Sequence, residues 1–252
     1  MENSEYSNHF NTEDNHWWFI GQRKILTNVF EKYVNKNENL KIVDAGCGTG
    51  RNIIELQKYG EVIGIDYSET AIEFCKKRGI RELINRNIAN TNLPNNSIDA
   101  IISVGVFYHK DINVKKTLQE FSRILKKNGT LIIMTPANEI FRSKFLKTSH
   151  DTLMHTGRRH NLTDLSNEIK NKDFCILKKS YYTSILFLPV VLSRFLSKIK
   201  ESFKKENSSN INNYKKNLIS FLLKNIMFIE AFLIKRISFS FGVSLLIVCK
   251  KK

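Results

Sequence analysis

Three glycines and two aspartates carry the first chemistry legible in this chain. In the run Lys41-Ile42-Val43-Asp44-Ala45-Gly46-Cys47-Gly48-Thr49-Gly50, the glycines follow a short apolar stretch. Asp66 stands 20 residues past Gly46, at the end of Val62-Ile63-Gly64-Ile65. Residues without a Cβ let the backbone approach a bound molecule closely. An acid at the tip of the second strand can hold a ribose diol. Asp44, two residues before the first glycine, would repel a pyrophosphate and suits a ligand that carries an ammonium group. The frame also departs from the Gly-x-Gly-x-x-Gly of dinucleotide sites, because Arg51 stands where the third glycine would be. A tight turn without a ligand is the plain alternative.

These residues require a β-turn-α-β unit to hold them. Ile42 and Val43 read as a buried strand, residues 44–50 as the turn, and Arg51 to Tyr59 as a helix with Ile53, Ile54 and Leu56 inward. Ser68 and Glu69 open a second helix through Arg78, with Ser68 as cap. Further strands are expected at residues 82–85, 97–103, 130–135, 174–182 and 243–249, with Lys127-Asn128-Gly129 a tight turn before the fifth. Helices are expected at 21–33, at 114–126, and from Leu162 with Thr163 as cap; residues 1–15 read as disordered or loosely docked.

Asp-Ala-Gly-Cys-Gly-Thr-Gly followed by Gly-Ile-Asp resembles the first two motifs of the class I S-adenosylmethionine (SAM)-dependent methyltransferases. The resemblance implies SAM as cofactor, with S-adenosylhomocysteine as product. It also implies an α/β fold: a Rossmann-like, doubly wound, seven-stranded sheet, mostly parallel with an antiparallel last strand. A helical insertion at 183–241 would separate strands 6 and 7. Asp44, Ala45, Gly46, Cys47, Gly48 and Gly50 would seat the methionine end, and Asp66 and Tyr67 the ribose. Asn87 and Ile88 would bracket the adenine, Asn87 standing where the family usually has an acid. Ser103 and Val104 would run beneath the sulfonium, bringing Tyr108 and His109 to the acceptor as contact or base; packing of the loop is the alternative.

His16-Trp17-Trp18-Phe19-x-Gly-x-Arg23 resembles the opening of a bacterial subset of that family associated with glycan or lipid-linked sugar pathways, except that Gln22 replaces an arginine. Trp17, Trp18 and Arg23 would face the acceptor, or the aromatics would only plug the core. The same subset shows a His-Asp and an Arg-Arg pair where this chain has His150, Asp151, Arg158 and Arg159. His150 would assist catalysis, and the arginines would clamp a phosphate or carboxylate; a salt-bridged loop is the alternative. His150, His155 and His160 recur every five residues, which does not stack on one helical face, so no metal site is expected.

The whole chain of 252 residues suits one methyltransferase domain with an N-terminal helical segment (1–40) and the 183–241 insertion as lid or interface. Of a net charge of +16, residues 170–252 contribute most, with 17 basic against 4 acidic side chains. That tail interleaves its charge with aliphatic runs, and no Asn-Pro-Pro-Tyr-like motif is present, which argues against nucleic acid. It leaves peripheral contact with an anionic membrane open. Residues 218–234 are apolar almost all round and need a cover of protein, second subunit or lipid; a monomer and a homodimer are both compatible. No signal peptide and no spanning apolar run is read, and the four cysteines read as reduced thiols of a cytoplasmic protein. The expected activity is methyl transfer to a hydroxyl or carboxylate of a glycan, lipid-linked or secondary metabolite. A silent SAM-binding fold serving as a basic membrane- or partner-binding module is the other reading.

Overall fold

The computed structural model describes residues 3–34, 39–137, 160–170, 173–192 and 218–252. Two helices come first, α1 (Asn3–Thr12) and α2 (Trp17–Tyr33). The strands β1 (Leu40–Ala45), β2 (Gly60–Asp66) and β3 (Leu83–Asn85) alternate with α3 (Arg51–Leu56) and α4 (Glu69–Lys77). Then follow β4 (Ile98–Val104), α5 (Val114–Ile124), β5 (Leu125–Pro136), α6 (Leu162–Lys170), β6 (Phe174–Tyr182), α7 (Leu218–Leu233) and β7 (Ser244–Lys251).

The strands form one seven-stranded sheet in the order β3-β2-β1-β4-β5-β7-β6. Neighbours from β3 to β5 are parallel, and β7 runs antiparallel to both β5 and β6. This is the expected mixed sheet. Its continuous aliphatic runs, such as Ile101-Ile102 and Leu131-Ile132-Ile133, are buried because helices cover both faces. One core layer packs α2 and α7 on the sheet through Ile25, Val29, Phe30, Met227 and Ala231. The opposite layer packs α5 and α6 through Leu118, Phe121, Leu165 and Ile169.

Several boundaries differ from expectation for local reasons. Residues 3–12 form a docked helix: the Phe10 ring sits 4.9 Å from that of Phe74, and the Arg78 guanidinium lies 4.4 Å over Phe10. Helix α2 begins four residues before Gly21, because His16 caps it by accepting the Trp18 N–H at 3.2 Å. Asn161, not Thr163, caps α6, accepting from the Asp164 N–H at 2.6 Å. The turn at Lys127–Gly129 is absorbed into β5 as an irregularity, with Asn128 at φ +62° and the β4 pairing jumping from Leu125 to Thr130. Ser68 caps α4 as expected, accepting from Ala71 N–H at 3.4 Å.

Candidate functional site

The glycine turn begins where β1 ends, beside the tips of β2 and β4. Gly46 takes φ +80°, and a Cβ there would lie 2.3 Å from Val106 Cγ2. Gly48 takes φ +54°, and a Cβ there would meet nothing within 4 Å. The first glycine lets the turn close against the loop after β4; the second keeps open the space in front of the turn.

That space is a cavity of about 410 Å³ at the carboxyl ends of the strands. Gly46 to Thr49, Asp66, Tyr67, Asn87, Ile88 and Val104 form one side of its lining. Tyr108 and His109 also line it, their rings stacked at 4.3 Å, as do Trp17, Trp18 and Arg23. Tyr108 and His109 occupy a turn after β4. Asp44, Ala45, Gly50 and Ser103, expected at the cofactor, do not line the cavity. Ser103 is fully buried and donates to the Ala45 carbonyl at 2.9 Å, tying β4 to β1. Gly50 caps α3 in the left-handed region. His150, Asp151, Arg158 and Arg159 lie outside the described residues. His160, next in the chain, is buried with Nε2 3.0 Å from the Phe107 carbonyl, where it steadies the loop that carries Tyr108.

The carboxylates differ in how they are satisfied. Asp66 accepts N–H bonds from Gly48 and Ser68, both at 3.0 Å, so it shapes the glycine turn as well as the cavity wall. Burial raises its pKa, and those N–H groups pull it back. Asp44 is 1% exposed, and neither carboxylate oxygen has a hydrogen-bond partner. Burial, and then the charges of Asp66 and Glu13, push it up to about 8. A buried, unsatisfied carboxylate is costly and rare. Beside an open glycine turn it matches a ligand that brings a positive charge, and so the residues present fit SAM with its ammonium end toward Asp44.

The N-terminal segment supplies wall residues that no local motif announces. Tyr6, His9 and Glu13 line the cavity, and burial with the nearby Asp66 charge raises the Tyr6 phenol. Glu13 accepts from the Thr49 hydroxyl and from Arg78 at 2.6 Å, and Arg23 donates to the Glu13 carbonyl at 2.7 Å. Asp14 pairs with Arg51 and, at 3.2 Å, with Arg78. These bonds strap residues 3–15 across the glycine turn. Gln22 donates to the Tyr182 hydroxyl at 2.9 Å, and burial pushes that phenol up to about 12. Tyr182, Thr183, Val190, Val243 and Ser244 also line the cavity, from the β6 and β7 ends. Cys47 and Cys75, far apart in sequence, bring their sulfurs to 3.8 Å, both as free thiols.

Residues 43–133 match the family model described as a methyltransferase domain. The "Probable S-adenosylmethionine-dependent methyltransferase" of Mycobacterium tuberculosis is 28% identical over 110 residues, 43% of this chain and 40% of that protein. The 2-phytyl-1,4-naphtoquinone methyltransferase of Trichormus variabilis is 25% identical over 143 residues, 51% of this chain and 62% of that protein. The chain therefore spans about half the length of these curated relatives. Among solved structures, the fold matches a chain of the Haloferax volcanii complex between the Trm112 methyltransferase activator and a methyltransferase. The TM-score there is 0.62 at 15% identity, covering 98% of this chain and 94% of that one. Turn, acids and sheet order agree with that match: residues 43–133 are similar to a methyltransferase domain and sit in a Rossmann-like, mixed seven-stranded sheet.

Proposed function

We propose that the protein transfers the methyl group of SAM to a hydroxyl or carboxylate of a small metabolite with an apolar body, lipid-linked or glycan-linked. The observation that carries the reading is Asp44, buried and unpaired behind an open glycine turn. SAM supplies an electrophilic methyl group on a sulfonium centre. Asp44, buried behind the turn, would draw the ammonium end of the cofactor toward it through its charge, Gly46 to Gly48 would leave room for the cofactor's backbone, and Asp66 would accept the ribose hydroxyls. Asn87 and Ile88 bracket the base; the Asn87 oxygen already accepts from Ala89 N–H at 2.8 Å, and its second lone pair serves the adenine amino group.

The other half of the cavity receives the acceptor. Its aromatic lining, from Trp17, Trp18, Phe19 and the stacked Tyr108–His109 pair, suits an apolar body and excludes water. Most of the acceleration comes from fixing the acceptor oxygen in line with the methyl group. His109, with Tyr108 stacked against it, takes the proton when the acceptor is a hydroxyl. The naming of a prenylated quinone methyltransferase among the relatives supports an apolar acceptor. His150, Asp151, Arg158 and Arg159 are proposed to complete the acceptor side, the arginines holding an anionic group. Residues 183–241, of which 193–217 lie outside the described residues, are proposed as its cover.

Calorimetry tests the cofactor half. Asp66→Ala is expected to weaken SAM binding by about 1.5–3 kcal/mol, the worth of charge-assisted hydrogen bonds. Unchanged affinity would remove the assignment. Labelled methyl groups traced from SAM into a host extract test the acceptor half: label is expected in an apolar, extractable fraction, and label in nucleic acid or protein would refute that class.

A further inference from the structure

The two faces of α7 have different surroundings. Met227 and Ala231 are buried against α2, where the Asn28 amide donates to the Ala231 carbonyl at 2.7 Å. A Cβ on Gly21 would lie 2.5 Å from Met227 Cβ, so the two helices are in close contact. The other face carries Leu218, Phe221, Leu222, Ile229 and Phe232, each more than half exposed. Their spacing at 0, 3, 4, 11 and 14 residues makes one stripe along the helix. Leu188 and Leu192, 74% and 58% exposed, add apolar surface on either side of Val190, which lines the cavity. Monomers in water rarely expose this much contiguous apolar surface.

Charge selects the occupant. The Arg236 guanidinium lies 4.3 Å over the Phe232 ring, and the Lys224 ammonium 5.4 Å from the centre of the Phe221 ring. Across 218–252 there are six basic residues and one acid, Glu230. Glu230 points inward, accepting the Ser184 N–H with both oxygens at 3.0 Å and the Ile185 N–H at 3.1 Å. Two copies meeting through this stripe would bring Lys224 and Arg236 against their own kind, because the one acid of α7, Glu230, is buried and turned inward. A nucleic acid would leave the five apolar side chains exposed. An anionic lipid surface answers both features: acyl chains take the stripe, and headgroup phosphates take the cations. Among the described residues no helix is long and apolar enough to cross a membrane, so α7 can lie on a bilayer but not span it.

We propose that the outer face of α7, with the 185–192 ridge, docks the protein on an anionic lipid bilayer, the helix lying in the interfacial plane. The ridge adjoins the cavity wall at Val190, so docking turns that side of the protein toward the membrane. The proposal rests on the outer surface and does not depend on which acceptor the cavity takes.

The test is flotation of the full chain with phosphatidylcholine vesicles, with and without phosphatidylglycerol. The protein is expected to float with the anionic vesicles at low salt and to be released by added salt. Lys224→Ala and Arg236→Ala should each weaken partitioning about fivefold, equivalent to ~1 kcal/mol per basic side chain near the surface. Leu222→Ser with Phe232→Ser should abolish it while the melting temperature and SAM affinity stay unchanged. Absence of flotation, or equal flotation on neutral vesicles, would overturn the proposal. So would a fall in melting temperature, or a dimer that the double serine variant dissociates, because either shows the stripe covered by protein. None of these failures touches methyl transfer, which the calorimetric and labelling experiments decide separately.

Discussion

Asp44 shows how one side chain couples acidity, stability and binding. Its carboxyl is raised to about 8 from an ordinary 3.8, chiefly by burial. A raised folded-state pKa means the folded protein holds the proton more tightly than the unfolded chain. The associated stability is fully present below about pH 4 and is lost as pH rises toward 8. Asp44→Asn is therefore expected to flatten this part of the melting curve between pH 5 and 8 and to raise the melting temperature of the ligand-free protein at its alkaline end. A ligand ammonium needs the ionised form, so SAM binding should expel a proton below pH 8. Calorimetry in buffers of different ionisation enthalpy would show it, and Asp44→Asn should abolish the release while weakening affinity. The Asp44, glycine and Asp66 pattern was legible because a single β-turn-α-β unit holds all of it. Tyr6, Gln22, Tyr182 and Thr183 were not, since they reach the cavity only through contacts far along the chain. Gln22 stood in a recognised motif, yet nothing local announced its bond to Tyr182, 160 residues away.

Single buried polar anchors hold the helices in place. Glu230 was visible in the sequence as the lone acid of an apolar helix, but its role was not. It binds the loop that leaves β6, where Thr183 sits at φ +57° with its hydroxyl unpartnered at the cavity wall. A β-branched residue in that region is strained by about 1–3 kcal/mol and persists only when its surroundings impose it. Glu230→Ala strands the backbone N–H groups of Ser184 and Ile185 and should cost about 3 kcal/mol or more, read by denaturant unfolding. Thr183→Gly should tolerate the backbone conformation yet lower acceptor turnover with SAM affinity intact.

Helix α1 was missed because its sequence is polar and lacks a clear apolar stripe; two rings and a set of ion pairs dock it. Its strap should slow cofactor exchange. Arg78→Met removes the bonds to Glu13 and Asp14 and is expected to speed SAM dissociation in stopped-flow measurements more than it slows association. The boundaries of α2 and α6 shifted for a more local reason: His16 and Asn161, single capping side chains, decided them.

At the scale of the molecule, the seven-stranded, mostly parallel sheet with an antiparallel last strand was legible through the resemblance carried by the glycine turn and Asp66, whereas the order of the strands came from the folded chain. The walls of the cavity were only half legible: the glycine turn, the loop after β4 and Trp17, Trp18 and Arg23 could be named, but Tyr6, His9 and Glu13 and the side from 182–190 and 243–244 required the folded chain. The +16 charge is likewise unevenly expressed. Lys251 donates to the Leu125 carbonyl and Lys178 to that of Ile237, both at 2.7 Å, so part of the basic tail secures backbone, while Lys224 and Arg236 remain at the surface beside aromatic rings.

The position of β7 between β5 and β6 has a consequence for how the chain is made. Leu131 pairs with Cys249, and Pro136 with Ser244, so the inner edge of β5 finds its partner more than a hundred residues downstream. Until those residues arrive, Leu131-Ile132-Ile133-Met134 presents an open apolar ladder, the kind that recruits strands from other chains. β6 cannot shield it, because among the described residues β6 meets the sheet through β7. During synthesis the nascent protein is thus exposed to self-association for the whole interval between these strands. A chain halted before Ser244 is expected to accumulate in the insoluble fraction, although its glycine turn and both aspartates are complete. Recovery of that truncated chain as a soluble monomer would show that another segment protects β5 first.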